Sequence, residues 1–283
     1  MVLRHHPDWL KVKIGGGEQF VRMKSILRNA ELHTICEEAK CPNIAECFSS
    51  GTAVFLILGD VCTRNCKYCN VKHGKPVDLN SDEPHNVALS VNNLNLKYTV
   101  ITSVTRDDIN DGGASVFSEA IREVKQLNPN CRVEVLIPDF KGDFKALKTV
   151  VDSYPDVVNH NIEVVRTLFP TIRPEGNYKI SIDLLKNVKK LNESMLTKSG
   201  FMIGIGENRE QIIQTMKDLR NANVDFLTIG QYLQPTRDHI KIKKYYTPDE
   251  FDQFKKIALN LDFKHVESGP LVRSSYHAER AIN

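Results

Sequence analysis

Three cysteines fall within eight residues in "CTRNCKYC", at positions 62, 66 and 69. Thiolates this close in sequence wrap around one inorganic centre, and soft sulfur ligands select zinc, Cu(I) or an iron–sulfur cluster. Closed structural sites use four protein ligands, and this loop supplies three. His73 could complete a zinc site. Alternatively, an iron–sulfur cluster held by three thiolates keeps one iron open to a small molecule. A second set, Cys36, Cys41 and Cys47, lies about fifteen residues upstream and is also one ligand short, with His33 as the candidate that would complete a zinc site. Six of the seven cysteines lie between positions 36 and 69, and Cys131 stands apart. Such clustering favours metal ligation in a reducing compartment, and hence a cytoplasmic protein, over a disulfide scaffold. Cys131 opens a predicted strand and reads as a buried, inert thiol.

The elements that must position these thiols become regular from Thr52 onward. Strand-like runs at 52–58, 97–104, 132–138, 156–162, 201–206 and 225–233 alternate with helical patterns near 84–94, 114–127, 143–152, 179–192 and 208–222. A last helix follows "TPDEF", where Thr247 can cap and Pro248 takes the first helical position. Strands each followed by a helix imply parallel pairing through right-handed crossovers. Six such units are too few for an eight-stranded closure, so the expected fold is α/β, an open, partial (β/α)6 barrel. Its chemistry belongs on the loops after the strands. "CTRNCKYC" follows the first strand, "TRDDINDGG" the second, "IRPEG" lies past the fourth and "GENRE" follows the fifth. The expected organisation is an N-terminal extension over 1–51 with its own cysteine centre, a barrel over 52–262, and a C-terminal tail over 263–283. The extension carries "GGG" at 15–17 and an amphipathic stretch from Val21 to Leu32. His5, His6 and His33 read as surface or loop histidines.

A net charge of +3 across 283 residues demands neither nucleic acid nor an anionic membrane as partner. The strongest apolar run, Ala53 to Leu58, is strand-length and far short of a membrane span. The first twenty residues hold no apolar core segment, and Asp8 and Glu18 argue against a transit peptide.

The spacing Cys-x3-Cys-x2-Cys, with Tyr68 before the last cysteine, resembles the signature of the radical S-adenosylmethionine superfamily. Around the first set, "LHTICEEAKCPNIAECF" resembles the N-terminal signature of the lipoyl synthase family. The blocks "GTAVFLILGDVCTRNCKYCNV", "VITSVTRDDINDGG", "EVLIPDFKG", "VVNHNIE", "TKSGFMIGIGE", "LTIGQYLQP" and "GPLVRSSYHA" follow in the family's order, from about residue 7 to 279. The resemblance implies a sulfurtransferase with two [4Fe–4S] clusters and S-adenosylmethionine. It sets Cys62, Cys66 and Cys69 on the radical-generating cluster, and Cys36, Cys41 and Cys47 on an auxiliary cluster. The fourth auxiliary ligand is then a serine of "RSSYHA", assigned to Ser275 with Ser274 as the alternative. The implied partners are octanoylated lipoyl carrier domains of 2-oxoacid dehydrogenase complexes or the glycine cleavage H protein, and a reducing protein such as ferredoxin or flavodoxin. Rival readings are another sulfur-inserting enzyme of the superfamily, a zinc-stabilised binding module, and a two-cluster electron carrier, which would use eight cysteines.

Weaker signals surround these motifs. By resemblance, Asp111, Gly112 and Gly113 hold the amino group of S-adenosylmethionine; from the residues alone they are a capped helix start. Asn159, Asn161 and Glu163 put polar groups inside a strand, where they form a polar layer or face the cofactor. Arg173 could pair with the cofactor carboxylate. The run "KIKKYY" at 241–246 reads as a solvated loop or as a basic patch for an acidic carrier. "RSSYHA" without the resemblance is a cap or turn.

Overall fold

The computed structural model describes residues 7–12, 16–49 and 52–281, so His5, His6 and Gly15 lie outside the described residues. Strand β1 (His33–Thr34) leads into two short helices, α2 (Ile35–Glu38) and α3 (Ile44–Ser49), after a first amphipathic helix, α1 (Glu18–Asn29). Met23, Leu27 and Phe48 bury this N-terminal layer against the rest of the chain.

Strand β2 (Val54–Ile57) is four consecutive buried apolar residues, as a strand covered on both faces requires. A loop closed by the two-residue strands β3 (Val61–Cys62) and β4 (Lys72–His73) follows it. The chain then alternates through α4 (Glu83–Asn93), β5 (Tyr98–Ser103), α5 (Ala114–Leu127), β6 (Arg132–Leu136) and α6 (Phe144–Val151). It continues through β7 (Val157–Asn159), α7 (Phe169–Ile172), α8 (Tyr178–Leu191), β8 (Leu196–Ile203), α9 (Arg209–Arg220), β9 (Phe226–Gln231), α10 (Pro248–Leu259) and β10 (His265–Gly269). Strands β2, β5, β6, β7, β8, β9 and β10 are parallel neighbours in that order. β1 pairs antiparallel on the outer side of β2, so the sheet is an open, partial barrel.

The helices fall where the periodicity predicts, and Thr247 caps α10 in a reciprocal box with Glu250. Two strands differ. β8 begins at Leu196, five residues before the apolar run at 201, because Thr197, Lys198 and Ser199 are buried in the sheet despite their polarity. β10 adds a seventh parallel strand within the stretch expected to be a tail. "HVESG" carries only one apolar side chain, so backbone pairing with β9 decides its conformation. Cys131 is buried, as expected.

Candidate functional site

A cavity of about 500 Å3 opens at the C-terminal ends of the parallel strands. All six clustered cysteines line it, together with Tyr68, Asn161, Glu163, Arg173, Ser274 and Ser275.

The first cysteine set is built by two helix starts. Thr34 caps α2, its hydroxyl accepting from the Glu37 amide at 3.4 Å, and α2 presents Cys36. The Cys41 amide donates to the Cys36 carbonyl at 3.0 Å, folding Cys41 back under Cys36. α3 then carries Cys47. Each thiol titrates above its ordinary range. Burial, then the neighbouring Cys41 and Cys47, pushes Cys36 up to about 12. Burial and Cys41 push Cys47 up to about 12, and burial raises Cys41.

The second set sits on the loop closed by β3 and β4, where the Gly74 amide donates to the Cys62 carbonyl at 2.9 Å. The Cys62 sulfur accepts from the Thr105 amide at 3.3 Å and the Arg64 amide at 3.4 Å. Burial, Cys66 and Cys62 push Cys69 up to about 12 against the Val71 amide, and burial raises Cys66. The thiols of each set thus feel one another. A cationic metal centre inverts this logic, because coordination deprotonates the thiols outright. Such sulfur sets suit an iron–sulfur cluster. His33 faces Glu38 at 3.5 Å and His73 is exposed on β4; neither lines the cavity. Among the described residues no three His, Cys, Asp or Glu side chains gather as ligands of one metal ion.

Arg64, between Cys62 and Cys66, fastens the loop to its neighbours. It is 5% exposed, and its guanidinium donates to both oxygens of Asp107 at 2.7 and 3.0 Å and of Asp139 at 2.7 and 2.8 Å. Burial opposes ionisation of Asp139, but the Arg64 hydrogen bonds outweigh it and hold that carboxyl at about 2. On the far side, His239 donates through Nε2 to the Cys69 carbonyl at 2.9 Å. The sequence alone gave Arg64 and His239 no role; a lone arginine inside a cysteine loop carries no periodic or spacing signal.

A polar wall faces the second set. Arg173 donates to the Asn161 carbonyl at 3.1 Å, and its buried Nε has no partner among the described residues. Burial raises Glu163, with Arg173, Asn161 and Tyr68 acting against the rise. Burial, reinforced by Glu163, puts the Tyr68 hydroxyl well above its ordinary range. Asn159 is fully buried and lies outside the lining, hydrogen-bonded to Glu134 at 2.8 Å.

Asp111, Gly112 and Gly113 do not line the cavity. Asp111 accepts from the amides of Gly113 at 2.9 Å and Ser115 at 2.8 Å, which begins α5. Gly113 has φ +89°, and a Cβ there would lie 2.3 Å from Leu58 Cδ1. The left-handed backbone, with the Leu58 side chain just beyond β2 close by, therefore favours glycine at the start of α5.

The C-terminal stretch arrives over β9, where a Cβ on Gly230 would lie 2.2 Å from the Val272 carbonyl oxygen. The N-terminal layer holds it on both sides. Asn43 donates to the Leu271 carbonyl at 2.7 Å, and the Tyr276 hydroxyl donates to Glu46 at 2.9 Å. Ser274 and Ser275 thereby line the same cavity as Cys36, Cys41 and Cys47. Lys241, Lys243 and Lys244 of "KIKKYY" are exposed beside Gly204, whereas Tyr246 is buried in the core and Ile242 packs against it, so the stretch is not a wholly solvated loop.

An open parallel barrel with a three-thiol loop after its first barrel strand is the architecture of a radical S-adenosylmethionine enzyme, and residues 56–219 match the profile of the Radical SAM superfamily. The fold is similar to that of HydG, a maturase of the [FeFe]-hydrogenase, with a TM-score of 0.57 at 12% identity, covering 94% of this chain and 68% of that one. Residues 3–41 match the N-terminal domain of lipoyl synthase. The lipoyl synthase of Caldicellulosiruptor bescii is 54% identical over 96% of this chain and 94% of its own length. That of Rubrobacter xylanophilus is 53% identical over 97% and 86%. The chain belongs to the lipoyl synthase family of radical S-adenosylmethionine enzymes. Membership implies a [4Fe–4S] cluster and S-adenosylmethionine. No described helix is long and apolar enough to cross a membrane.

Proposed function

We propose that this enzyme inserts two sulfur atoms, at carbons 6 and 8 of an octanoyl chain amide-linked to a carrier lysine, giving lipoyl-lysine. Those carbons are unactivated, and no side chain is basic enough to abstract their hydrogens. When bound, S-adenosylmethionine with one [4Fe–4S] cluster would supply the radical chemistry, the external reductant providing the electron, and a second, sacrificial [4Fe–4S] cluster would supply the sulfur. Cys62, Cys66 and Cys69 would hold the first cluster. Cys36, Cys41, Cys47 and Ser275 would hold the second. The observation that carries this reading is the single cavity lined by both cysteine sets and by Ser275.

The remaining residues have proposed roles as well. The unpartnered Nε of buried Arg173 suits the carboxylate of S-adenosylmethionine, with Asn161 and Glu163 beside it. Asp111, Gly112 and Gly113 would act one layer back, fixing the loop after β5. A serine oxygen is a harder, weaker partner for iron than thiolate. It would let one iron leave and open the second cluster. The chain would act in three parts: an auxiliary-cluster extension over 1–51, the barrel over 52–262 and the serine-bearing tail over 263–283. Its place would be the cytoplasm. Its substrates would be octanoylated lipoyl domains of 2-oxoacid dehydrogenase complexes or the glycine cleavage H protein, with ferredoxin or flavodoxin as reductant.

The test is anaerobic. The reconstituted chain, given reductant, S-adenosylmethionine and an octanoyl-lysine peptide, should exchange two hydrogens of the peptide for two sulfurs, read by mass spectrometry. Ser275→Ala should cleave S-adenosylmethionine and leave the peptide without its full complement of sulfur. Normal lipoyl formation by Ser275→Ala would remove the serine from the ligand set. An unchanged peptide mass with the unaltered chain would remove the activity.

A further inference from the structure

Strands β6 and β8 hold a buried charged pair that lies outside the cavity lining. Lys198 and Glu134 are 2% and 0% exposed, and the Lys198 ammonium lies 3.1 Å from each Glu134 oxygen. Glu134 also accepts from the Tyr98 hydroxyl at 2.6 Å and from Asn159 Nδ2 at 2.8 Å. A buried ion pair is an expensive way to fill a core unless it fixes something.

What it fixes can be followed proton by proton. An ionised carboxylate only accepts, so Asn159 must turn its amide nitrogen toward Glu134. The second hydrogen of that nitrogen then points to Ser274 Oγ, 2.9 Å away. Ser274, accepting from Asn159, has its own hydrogen left for Asn161 Oδ1, also at 2.9 Å. Asn159 Oδ1 is buried without a partner among the described residues, a cost consistent with an amide held in one orientation from its other end. Ser274 is thus clamped through both donation and acceptance. Ser275, its neighbour in the same cavity wall, makes no hydrogen bond through its hydroxyl among the described residues.

We propose that Asn159 and Asn161 are positioning residues: with the Lys198–Glu134 pair behind them they clamp Ser274, and this clamp leaves Ser275 as the free hydroxyl facing Cys36, Cys41 and Cys47. Three contacts then fix the tail in register. Asn43 holds Leu271, the asparagine pair holds Ser274 and Glu46 holds Tyr276. The inference rests on the reading that Ser275 serves the second cluster.

The experiment compares the full chain with its Asn159→Ala, Ser274→Ala and Ser274→Thr forms, both iron-free and reconstituted. Hydrogen–deuterium exchange is read in the peptide spanning 271–277, with α10 as internal control. Loss of the clamp should speed exchange in that peptide about ten-fold, the scale of one lost hydrogen bond, without changing α10. Ser274→Ala removes the clamp at its tail end and leaves the barrel interior untouched, so it stands even where Asn159→Ala folds poorly. Ser274→Thr keeps the hydroxyl and should restore protection. Unchanged exchange in Ser274→Ala overturns the clamp. Mössbauer spectra of the reconstituted chains separate the two ideas. Ser275→Ala with an unchanged second cluster overturns the ligand reading. An altered spectrum in Ser275→Ala, beside a normal one in Ser274→Ala and Asn159→Ala, overturns the positioning role alone.

Discussion

At the scale of single residues, His160 shows how the cavity floor depends on pH. It is 2% exposed, with Nδ1 2.8 Å from the Ile137 carbonyl oxygen and Nε2 2.9 Å from Ser181 Oγ. A carbonyl only accepts, so the ring proton sits on Nδ1 and Ser181 donates to Nε2. Burial, aided by the Arg173 charge, lowers this histidine from 6.5 to about 4. Between those values the unfolded chain binds a proton that the folded chain refuses, so stability rises with pH. Its contribution is complete above about 6.5 and declines as pH falls toward 4, at up to about 1.4 kcal/mol per pH unit. Urea unfolding at pH 7.5 and pH 5 should show this loss in the unaltered chain. His160→Gln, which keeps a donor and an acceptor, should be less stable at pH 7.5 by about 1 kcal/mol and flatter with pH. Parallel losses in both chains would assign the proton to another group.

At the scale of elements, the loops after β2, β5 and β6 behave as one unit because Arg64 holds Asp107 and Asp139 together. Arg64→Ala leaves the buried Asp139 carboxylate without its counter-charge and is expected to cost about 3–5 kcal/mol. Arg64→Lys supplies charge without the planar fork, and should recover only part of the loss. Thermal unfolding of the two variants reads this order; equal stability would show that Arg64 supplies packing alone. The order of helices and strands was legible because β2 and β5 to β9 are largely buried on both faces and each long helix buries one. The N-terminal part of β8 was not, since Lys198 is buried through Glu134, 64 positions away. β10 was not, since its conformation comes from β9. The cysteine loops stood out by spacing, whereas the Asn159–Ser274 link, 115 positions apart, has no local signature.

At the scale of the whole molecule, the cavity joins chain ends to the barrel. Cys36, Cys41 and Cys47 come from the N-terminal layer, the serines from the C-terminal stretch, and Cys62, Cys66 and Cys69 from the barrel rim. The barrel strands and the N-terminal layer share a continuous apolar core that Ala278 also joins, and polar contacts such as Asn43 to Leu271 and Tyr276 to Glu46 add to the link between the two ends. Cys36 and Cys47, raised to about 12, remain protonated without metal at neutral pH. If these thiols hold the proposed second cluster, metal binding must displace those protons, and the binding free energy becomes folding free energy for the segments that supply the ligands. Removing iron with a chelator should therefore loosen 35–48 and 271–277 together and leave β5, β6, β7 and β8 protected. Hydrogen exchange before and after chelation reads this directly. Because each bound thiol gives up a proton, iron should also be retained better at pH 8 than at pH 6. Equal loosening of barrel and ends would mean that the clusters stabilise the whole fold as one cooperative unit. No loosening at either end would mean that the polar contacts alone hold the ends, and that the metal adds chemistry without adding structure.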